Sequence, residues 1–79
     1  MRLHVYSLKH PVLSKEITLV GVKTPTGEIT ILDNHRPLIT SIVKGPIRIQ
    51  DVKGNEEQIQ SEGGTLEVRP RGEVSILMH

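Results

Sequence analysis

Glycine and proline break this chain into short segments at nearly regular intervals. Six turn-forming clusters recur after the first strand-like stretches: Pro25-Thr26-Gly27, Asp33-Asn34, Lys44-Gly45-Pro46, Lys53-Gly54-Asn55, Glu62-Gly63-Gly64 and Pro70-Arg71-Gly72. Both residues interrupt regular structure, glycine by admitting positive φ and proline by fixing φ and lacking an N–H donor. Closely spaced turns of this kind are typical of a sandwich or barrel of short antiparallel strands.

Between the turns, apolar residues alternate with polar ones at the period of two that a half-buried strand requires. The alternation is clearest at Ile47 and Ile49, Leu66 and Val68, and Val74, Ile76 and Met78. The chain has no Ala, Phe or Trp, and 23 of its 79 residues are Val, Ile or Thr, a composition that suits pleated surfaces rather than helices. The sequence therefore predicts an all-β fold: one domain over residues 1–79, a small antiparallel β-sandwich of about eight to ten short strands.

Three segments need a closer reading. Residues 38–43 have apolar side chains at helix-compatible spacing, but their β-branched content and Thr40 favour a strand, with a short helix as the alternative. Residues 56–60 have one apolar side chain and four polar ones, which predicts an exposed strand joined to the preceding one by a Lys53-Gly54-Asn55 hairpin. The alternation slips near Leu19-Val20-Gly21, which indicates a bulge or a stretch buried on both faces.

Charge and cysteine content narrow the classes of partner. Ten Lys and Arg against nine Asp and Glu leave a net charge of +1, without the concentrated positive field that binds a phosphate backbone, and Tyr6 is the only aromatic residue on which a base would stack. A nucleic-acid partner is therefore not expected. The absence of cysteine leaves the cytoplasm as the default compartment, and no apolar run approaches the roughly 18 residues that span a bilayer.

Residues with catalytic or metal-binding chemistry are present but unpatterned. No serine lies in a Gly-x-Ser-x-Gly elbow, and His4, His10, His35 and His79 lack the spacing of metal ligands, although His4 and His79 would approach if the first and last strands were neighbours. Gly63-Gly64 reads as a turn that needs positive φ, since no Gly-Lys-Ser/Thr follows it. We expect no catalytic residue, metal or cofactor.

Three motifs in order resemble a known family. Residues 27–38 read Gly-Glu-Ile-Thr-Ile-Leu-Asp-Asn-His-Arg-Pro-Leu, residues 45–49 read Gly-Pro-Ile-Arg-Ile, and residues 63–68 read Gly-Gly-Thr-Leu-Glu-Val. In sequence and spacing they resemble the ε subunits of F-type ATP synthases, and the resemblance extends from Leu3-His4-Val5 to Val74-Ser75-Ile76-Leu77. Asp33 departs from the proline that the family often has there, and Arg36 from a small residue.

The resemblance implies a non-catalytic subunit of the central stalk, the rotor of the enzyme. Such a subunit binds subunit γ and the ring of c subunits, couples ion-driven rotation to ATP synthesis, and lies at the cytoplasmic face of the cell membrane through the complex. The family usually continues into a second domain of two helices, which we expect to be absent here. A small β-barrel that binds a ligand or a nucleic acid is the alternative function.

The resemblance also implies where the two partners bind. Thr26, Gly27 and Glu28 are expected to face the c-ring, with Glu28 exposed in a turn and able to pair with a basic residue of a c-subunit loop. The edge expected to face γ comprises His35, Arg36, Pro37, Leu38 and Thr40.

Overall fold

The computed structural model describes residues 1–9 and 11–79, and it confirms the all-β prediction. Its eight strands are β1 (Arg2–Tyr6), β2 (Leu13–Thr24), β3 (Gly27–Leu32), β4 (Leu38–Ile42), β5 (Gly45–Asp51), β6 (Glu56–Ser61), β7 (Gly64–Arg69) and β8 (Glu73–Met78). A single 3₁₀ turn, Pro70–Gly72, joins β7 to β8. Each glycine- or proline-containing cluster predicted from the sequence therefore lies at or beside a connection between strands.

The long strand β2 belongs to both layers of the sandwich. Its first half pairs with β1 in sheet 1, whose order is β4-β7-β8-β1-β2, and its second half lies between β3 and β5 in sheet 2, whose order is β3-β2-β5-β6. At the other side of the sandwich the Val43 N–H, just after β4, donates to the Lys23 carbonyl oxygen at 2.9 Å. This hydrogen bond connects the end of β4, in sheet 1, to the part of β2 that lies in sheet 2.

A bulge marks the place where β2 passes from one sheet to the other. Ile17 pairs with Asp51 and Leu19 with Gln50, so Thr18 is an extra residue opposite β5. Its hydroxyl donates to the carbonyl oxygens of Gln50 and Asp51, both at 3.3 Å. The bulge therefore precedes the predicted position by about one residue, and Val20-Gly21-Val22 just beyond it is also buried throughout.

Strand direction differs from the antiparallel expectation at one pairing. The β1 strand runs parallel to β8, with Leu3 opposite Val74 and Val5 opposite Ile76, while the other six pairings are antiparallel. Parallel neighbours need a long connection, and here nearly the whole chain supplies it. Alternating hydrophobicity reports which face a residue occupies but not the direction of its neighbour, so the sequence pattern could not show this.

Among the residues that the structure describes, the buried apolar side chains are aliphatic apart from one methionine. The alternation predicted for β5, β7 and β8 is confirmed, because their inward residues are buried and their outward residues are at least partly exposed. The buried apolar set is Leu3, Val5, Ile17, Val20, Val22, Ile31, Ile42, Ile47, Ile49, Leu66, Val68, Val74, Ile76 and Met78. These residues come from both sheets and form one cluster.

The ambiguous segments are strands. The residues for which a helix was the alternative form β4, and the polar segment 56–60 forms most of β6 at the edge of sheet 2. The hairpin between β5 and β6 is held by Asp51, whose carboxylate accepts from the backbone N–H groups of Lys53 and Asn55, both at 2.9 Å. Desolvation raises the pKa of Asp51, but these hydrogen bonds outweigh it and leave the pKa below its ordinary value of 3.8.

The Gly63-Gly64 doublet is a close backbone approach rather than a ligand loop. Both residues have positive φ, 115° and 154°. A Cβ at Gly64 would lie 2.0 Å from the Leu77 carbonyl oxygen on β8. The doublet therefore permits tight pairing of β7 with β8, and its positive φ values are those that the turn interpretation of these glycines required.

In the part of the chain that the structure describes, no helix has the length and apolar character needed to cross a membrane.

Candidate functional site

The residues expected at the c-ring lie where β2 turns into β3. Thr24 pairs with Gly27 across a two-residue turn, Pro25-Thr26, and the buried Thr24 hydroxyl donates to the Gly27 carbonyl oxygen at 2.6 Å. The Thr26 N–H donates in turn to that hydroxyl oxygen at 3.3 Å. One threonine thus fixes the turn from inside, while residues 25–28 are exposed.

Glu28 is exposed as predicted, but it lies in β3 rather than in the turn, and it already has a partner. Arg48 Nη2, from β5, donates to Glu28 Oε1 at 2.7 Å, and both side chains are 48% exposed. Sequence reasoning missed this pair because Glu28 and Arg48 are separated by 20 residues and by an intervening strand. The motif at residues 45–49 contains Arg48 but does not indicate that Arg48 pairs with Glu28.

The residues expected to face γ occupy the connection from β3 to β4 and the start of β4. The connection turns back at His35, whose backbone N–H donates to the Leu32 carbonyl oxygen at 3.2 Å, and Asn34 adopts a φ of 66°. His35, Arg36 and Pro37 are exposed. The predicted γ-facing and c-ring-facing groups therefore lie at opposite ends of β3 and form two separate surfaces.

β4 has two outward residues, Ile39 and Ser41, and neither was among those predicted to face γ. Leu38 is half-buried against the core, and Thr40 is half-buried too, whereas Ile39 between them is 71% exposed. Alternation along a strand requires this, since neighbouring side chains point to opposite faces. The signal for Ile39 was the strand assignment itself, which puts it on the face opposite Leu38 and Thr40; the apolar residues of this segment have helix-compatible spacing and do not mark it.

Ile39 belongs to a broad outward face of sheet 1 that we call the sheet 1 surface. Strand pairing places one row of residues across it: Ile39, Glu67, Ser75, His4 and Ser14. A second row contains Ser41, Thr65, Leu77 and Tyr6. Ile39, Leu77 and Tyr6 are 71%, 60% and 42% exposed, so large apolar side chains from three strands lie on one side of the domain.

An ordered polar cluster lies among these apolar residues. His4 Nε2 donates to Glu73 Oε2 at 3.0 Å, and His4 Nδ1 and the Ser14 hydroxyl share a second hydrogen bond at 3.1 Å. The imidazole stacks on Tyr6, with ring centroids 6.3 Å apart and planes inclined by 18°. His4 is therefore held in one orientation. The parallel register sets His4 opposite Ser75, four residues before His79, so neighbouring strands do not bring these two histidines together.

His35 also lines a cleft of about 540 Å³ at the end of the sandwich, between the β3–β4 connection and the 3₁₀ turn. The Met1 ammonium group donates there to Asp33 Oδ1 at 2.9 Å and to the Ile17 carbonyl oxygen at 3.0 Å. The hydrogen bond to Asp33 raises the pKa of this amino group above 8.0. These contacts lie within the domain and tie the β3–β4 connection to the start of β1.

Metal-binding geometry is not found among residues 1–9 and 11–79, where no three His, Asp or Glu side chains converge on one point. His10 lies outside the described residues.

Comparison with known proteins agrees with this geometry. The family described as "ATP synthase, Delta/Epsilon chain, beta-sandwich domain" matches residues 1–79. The chain belongs to this family. Among curated members, the ATP synthase epsilon chain of Acinetobacter baylyi is 41% identical over 70 residues, which is 89% of this chain and 50% of that one. The epsilon chain of a Psychrobacter species is 39% identical over 71 residues, 90% of this chain and 51% of that one. This delta/epsilon-type chain thus spans about half the length of these relatives.

Solved structures share the fold at lower identity. A chain of the Euglena gracilis mitochondrial ATP synthase, in a structure described as containing OSCP, F1 and the c-ring, superposes with a TM-score of 0.89 over 96% of this chain and 48% of its own, at 22% identity. A chain of the Tetrahymena thermophila mitochondrial ATP synthase, described as central stalk and c-ring, gives 0.81 over 99% and 62%, at 16% identity. The sandwich of this delta/epsilon-type chain is therefore the fold found in those assemblies.

Proposed function

We propose that this chain is a non-catalytic subunit of the central stalk of an F-type ATP synthase, binding subunit γ and the c-ring and coupling ion-driven rotation to ATP synthesis. The observation that carries the proposal is the match of the family's β-sandwich domain along residues 1–79. In this role the domain is one folded unit, held at the cytoplasmic face of the cell membrane by the complex. No observation favours the ligand-binding or nucleic-acid-binding alternative.

The sheet 1 surface is the proposed site for γ. A stable interface needs about 800 Å² from each partner, and the domain measures 26 × 25 × 18 Å, so γ must cover most of one broad face. The sheet 1 surface begins beside the predicted edge, at Ile39, and continues across Leu77 to Tyr6. Exposed apolar side chains on this face supply the desolvated centre that such an interface requires.

Charge insertion into this surface tests the proposal. We expect Leu77→Asp to abolish co-elution of the chain with the γ subunit of the same organism in size-exclusion chromatography, because a carboxylate would be desolvated at the centre of the interface. Val52→Asp is the matched control, since Val52 is 62% exposed, Leu77 is 60% exposed, and Val52 lies in the β5–β6 hairpin of sheet 2. If the Leu77→Asp and Val52→Asp variants bind γ equally well, the sheet 1 surface is excluded as the γ-binding site.

The turn at Thr26 and Gly27, together with Glu28, is the proposed contact with the c-ring. It projects from the domain on a two-residue connection, and Glu28 beside it supplies a carboxylate for a basic residue of a c-subunit loop. A pair of this kind guides docking and sets orientation. The remaining surface of the turn is small and polar, which suits a contact with the polar loops of a rotating ring.

Charge reversal at Glu28 tests the c-ring contact. We expect Glu28→Arg to lower proton-driven ATP synthesis by the assembled enzyme several-fold, with the domain still folded, because two basic residues would then face each other. Glu56→Arg is the control, since Glu56 is equally an exposed strand residue but lies beside the β5–β6 hairpin. Unchanged synthesis with Glu28→Arg, or an equal loss with both variants, would refute the contact.

A further inference from the structure

Arg48 reaches Glu28 by crossing a strand. Arg48 lies on β5 opposite Gly21 of β2, and Glu28 lies on β3, on the other side of β2. The guanidinium group must therefore extend over the centre of β2 before Nη2 meets Glu28 Oε1 at 2.7 Å. It passes directly above Gly21, where an added Cβ would lie 3.2 Å from Nη2 and 3.4 Å from Nε.

The crossing of Arg48, rather than an unusual backbone conformation, explains why position 21 is a glycine. Its φ lies outside the left-handed region that favours glycine, in contrast to Gly27 and Gly45. A glycine in the interior of a strand weakens the strand and commonly marks the close approach of another group. The missing side chain at position 21 leaves a shallow trough in the outer face of sheet 2, and the Arg48 guanidinium fills that trough, which is why Gly21 is buried.

Lys23 is closer to Glu28 than Arg48 is in the strand register, but its side chain does not extend towards Glu28. Lys23 is directly opposite Glu28 on β2. Its Cδ lies 2.9 Å from the position that a Cβ of Gly45 would take, so the side chain extends towards β5 rather than towards β3. Two glycines thus direct two basic side chains across sheet 2, and Arg48 is the one that holds Glu28.

We propose that Arg48 is a positioning residue for Glu28: lying in the Gly21 trough, it binds Oε1 and presents Oε2 to a basic residue of the c-ring. This inference rests on the proposed function, since it concerns the same contact. A pair this exposed adds little to folding stability, and both side chains are 48% exposed. Its consequence is expected in binding, because a carboxylate already held in one rotamer loses less freedom when it docks.

A double-mutant cycle measures this effect. The whole 79-residue chain would be bound to the detergent-solubilised c-ring of the same organism, with Arg48→Met, Glu28→Gln and the double variant compared by biolayer interferometry. We expect Arg48→Met to raise Kd by about two- to tenfold when Glu28 is present, the range expected for ordering one side chain, and to have no further effect in Glu28→Gln. Thermal unfolding would verify that each variant is folded.

Two further variants separate positioning from general structural damage. Gly21→Val fills the trough, so we expect it to raise Kd as Arg48→Met does and to add nothing to that variant. Gln58→Met is the matched control, because Gln58 is opposite Arg48 on β6 and also exposed, but makes no contact with Glu28 in this geometry. We expect Gln58→Met to leave Kd unchanged.

The outcomes distinguish this inference from the proposed function. An equal loss from Arg48→Met in both backgrounds, or tighter binding without Arg48, would overturn the positioning role and leave the c-ring contact intact. No effect of Glu28→Gln would remove Glu28 from the contact, and the role of Arg48 with it. Failure of the unmodified, folded chain to bind the c-ring would refute the c-ring part of the proposed function and the inference that rests on it.

Discussion

Gly64→Ala tests whether the close approach of β7 to β8 is what requires the second glycine of the doublet. The new Cβ would lie 2.0 Å from the Leu77 carbonyl oxygen and 3.0 Å from Met78 Cα, whereas ordinary contacts begin at 3.4 Å. The carbonyl cannot rotate away as a flexible side chain would, because it belongs to the backbone of β8. The strands must therefore separate locally, beneath the sheet 1 surface that carries Leu77.

The expected cost combines two contributions. Overpacking costs about 1–3 kcal/mol and a glycine-only backbone conformation about 1–3 kcal/mol, and Gly64 incurs both since its φ is 154°. We therefore expect a loss of about 4 kcal/mol. A chain of 79 residues has a total stability of about 4–12 kcal/mol, so the variant should be close to unfolding, with Tm lowered by about 15–30 °C.

Urea and thermal unfolding followed by far-UV circular dichroism would measure this loss. Gly54→Ala separates the two contributions, because Gly54 also has positive φ, 87°, but its Cβ would meet nothing within 4 Å. We expect Gly54→Ala to lose only about 1–2 kcal/mol, the cost of the backbone conformation alone. Equal losses in the two variants would show that steric contact with β8 is not the reason for glycine at position 64.

Two other predictions concern the core and the β5–β6 hairpin. Ile76→Ala should cost about 2–5 kcal/mol of folding free energy, since truncating a buried aliphatic side chain leaves a cavity, and Ile76 is fully buried. Leu77→Ala should change the urea midpoint little, because Leu77 is beside Ile76 but 60% exposed. Similar losses of stability in both variants would contradict the assigned core. Because hydrogen bonding lowers the pKa of Asp51 below 3.8, Asp51 should stabilise the fold fully above that pH and lose this contribution as the pH falls through its folded-state pKa. A carboxyl ¹³C titration of Asp51 should therefore have its midpoint below pH 3.8. The stability of the Asp51→Asn variant should depend less on pH in that range than the stability of the unmodified chain. A midpoint at or above 3.8 would show that the loop hydrogen bonds are weak in solution.

The strands were predictable where alternation is regular and turn residues delimit it. β5, β7 and β8 satisfy both conditions, and the weaker β6 was recognisable because an edge strand can be polar on both faces. For β4 the composition, rather than the spacing of its apolar residues, indicated the correct structure. Each of these predictions depended on residues close together in the chain.

The candidate surfaces were only partly predictable. The turn at Thr26 and Gly27 follows from local sequence, and the exposure of Glu28 beside it was correctly expected. Ile39 was missed because the predicted γ-facing edge was taken from a motif, although alternation along β4 places this residue outward. The pair of Arg48 with Glu28 had no local signal, because three strands must assemble before the two side chains meet.

The all-β class, most strand positions, the aliphatic core and the family to which the chain belongs can be read from the sequence, since short-range alternation, turn chemistry and ordered motifs lie along the chain. The assembled fold was needed to show that β1 runs parallel to β8, that Ile39, Leu77 and Tyr6 share one face, and that the trough above Gly21 guides Arg48 to Glu28. The physical reason is that strand order and direction depend on pairing between residues far apart in the chain, and hydrophobic alternation is the same whichever neighbour a strand acquires.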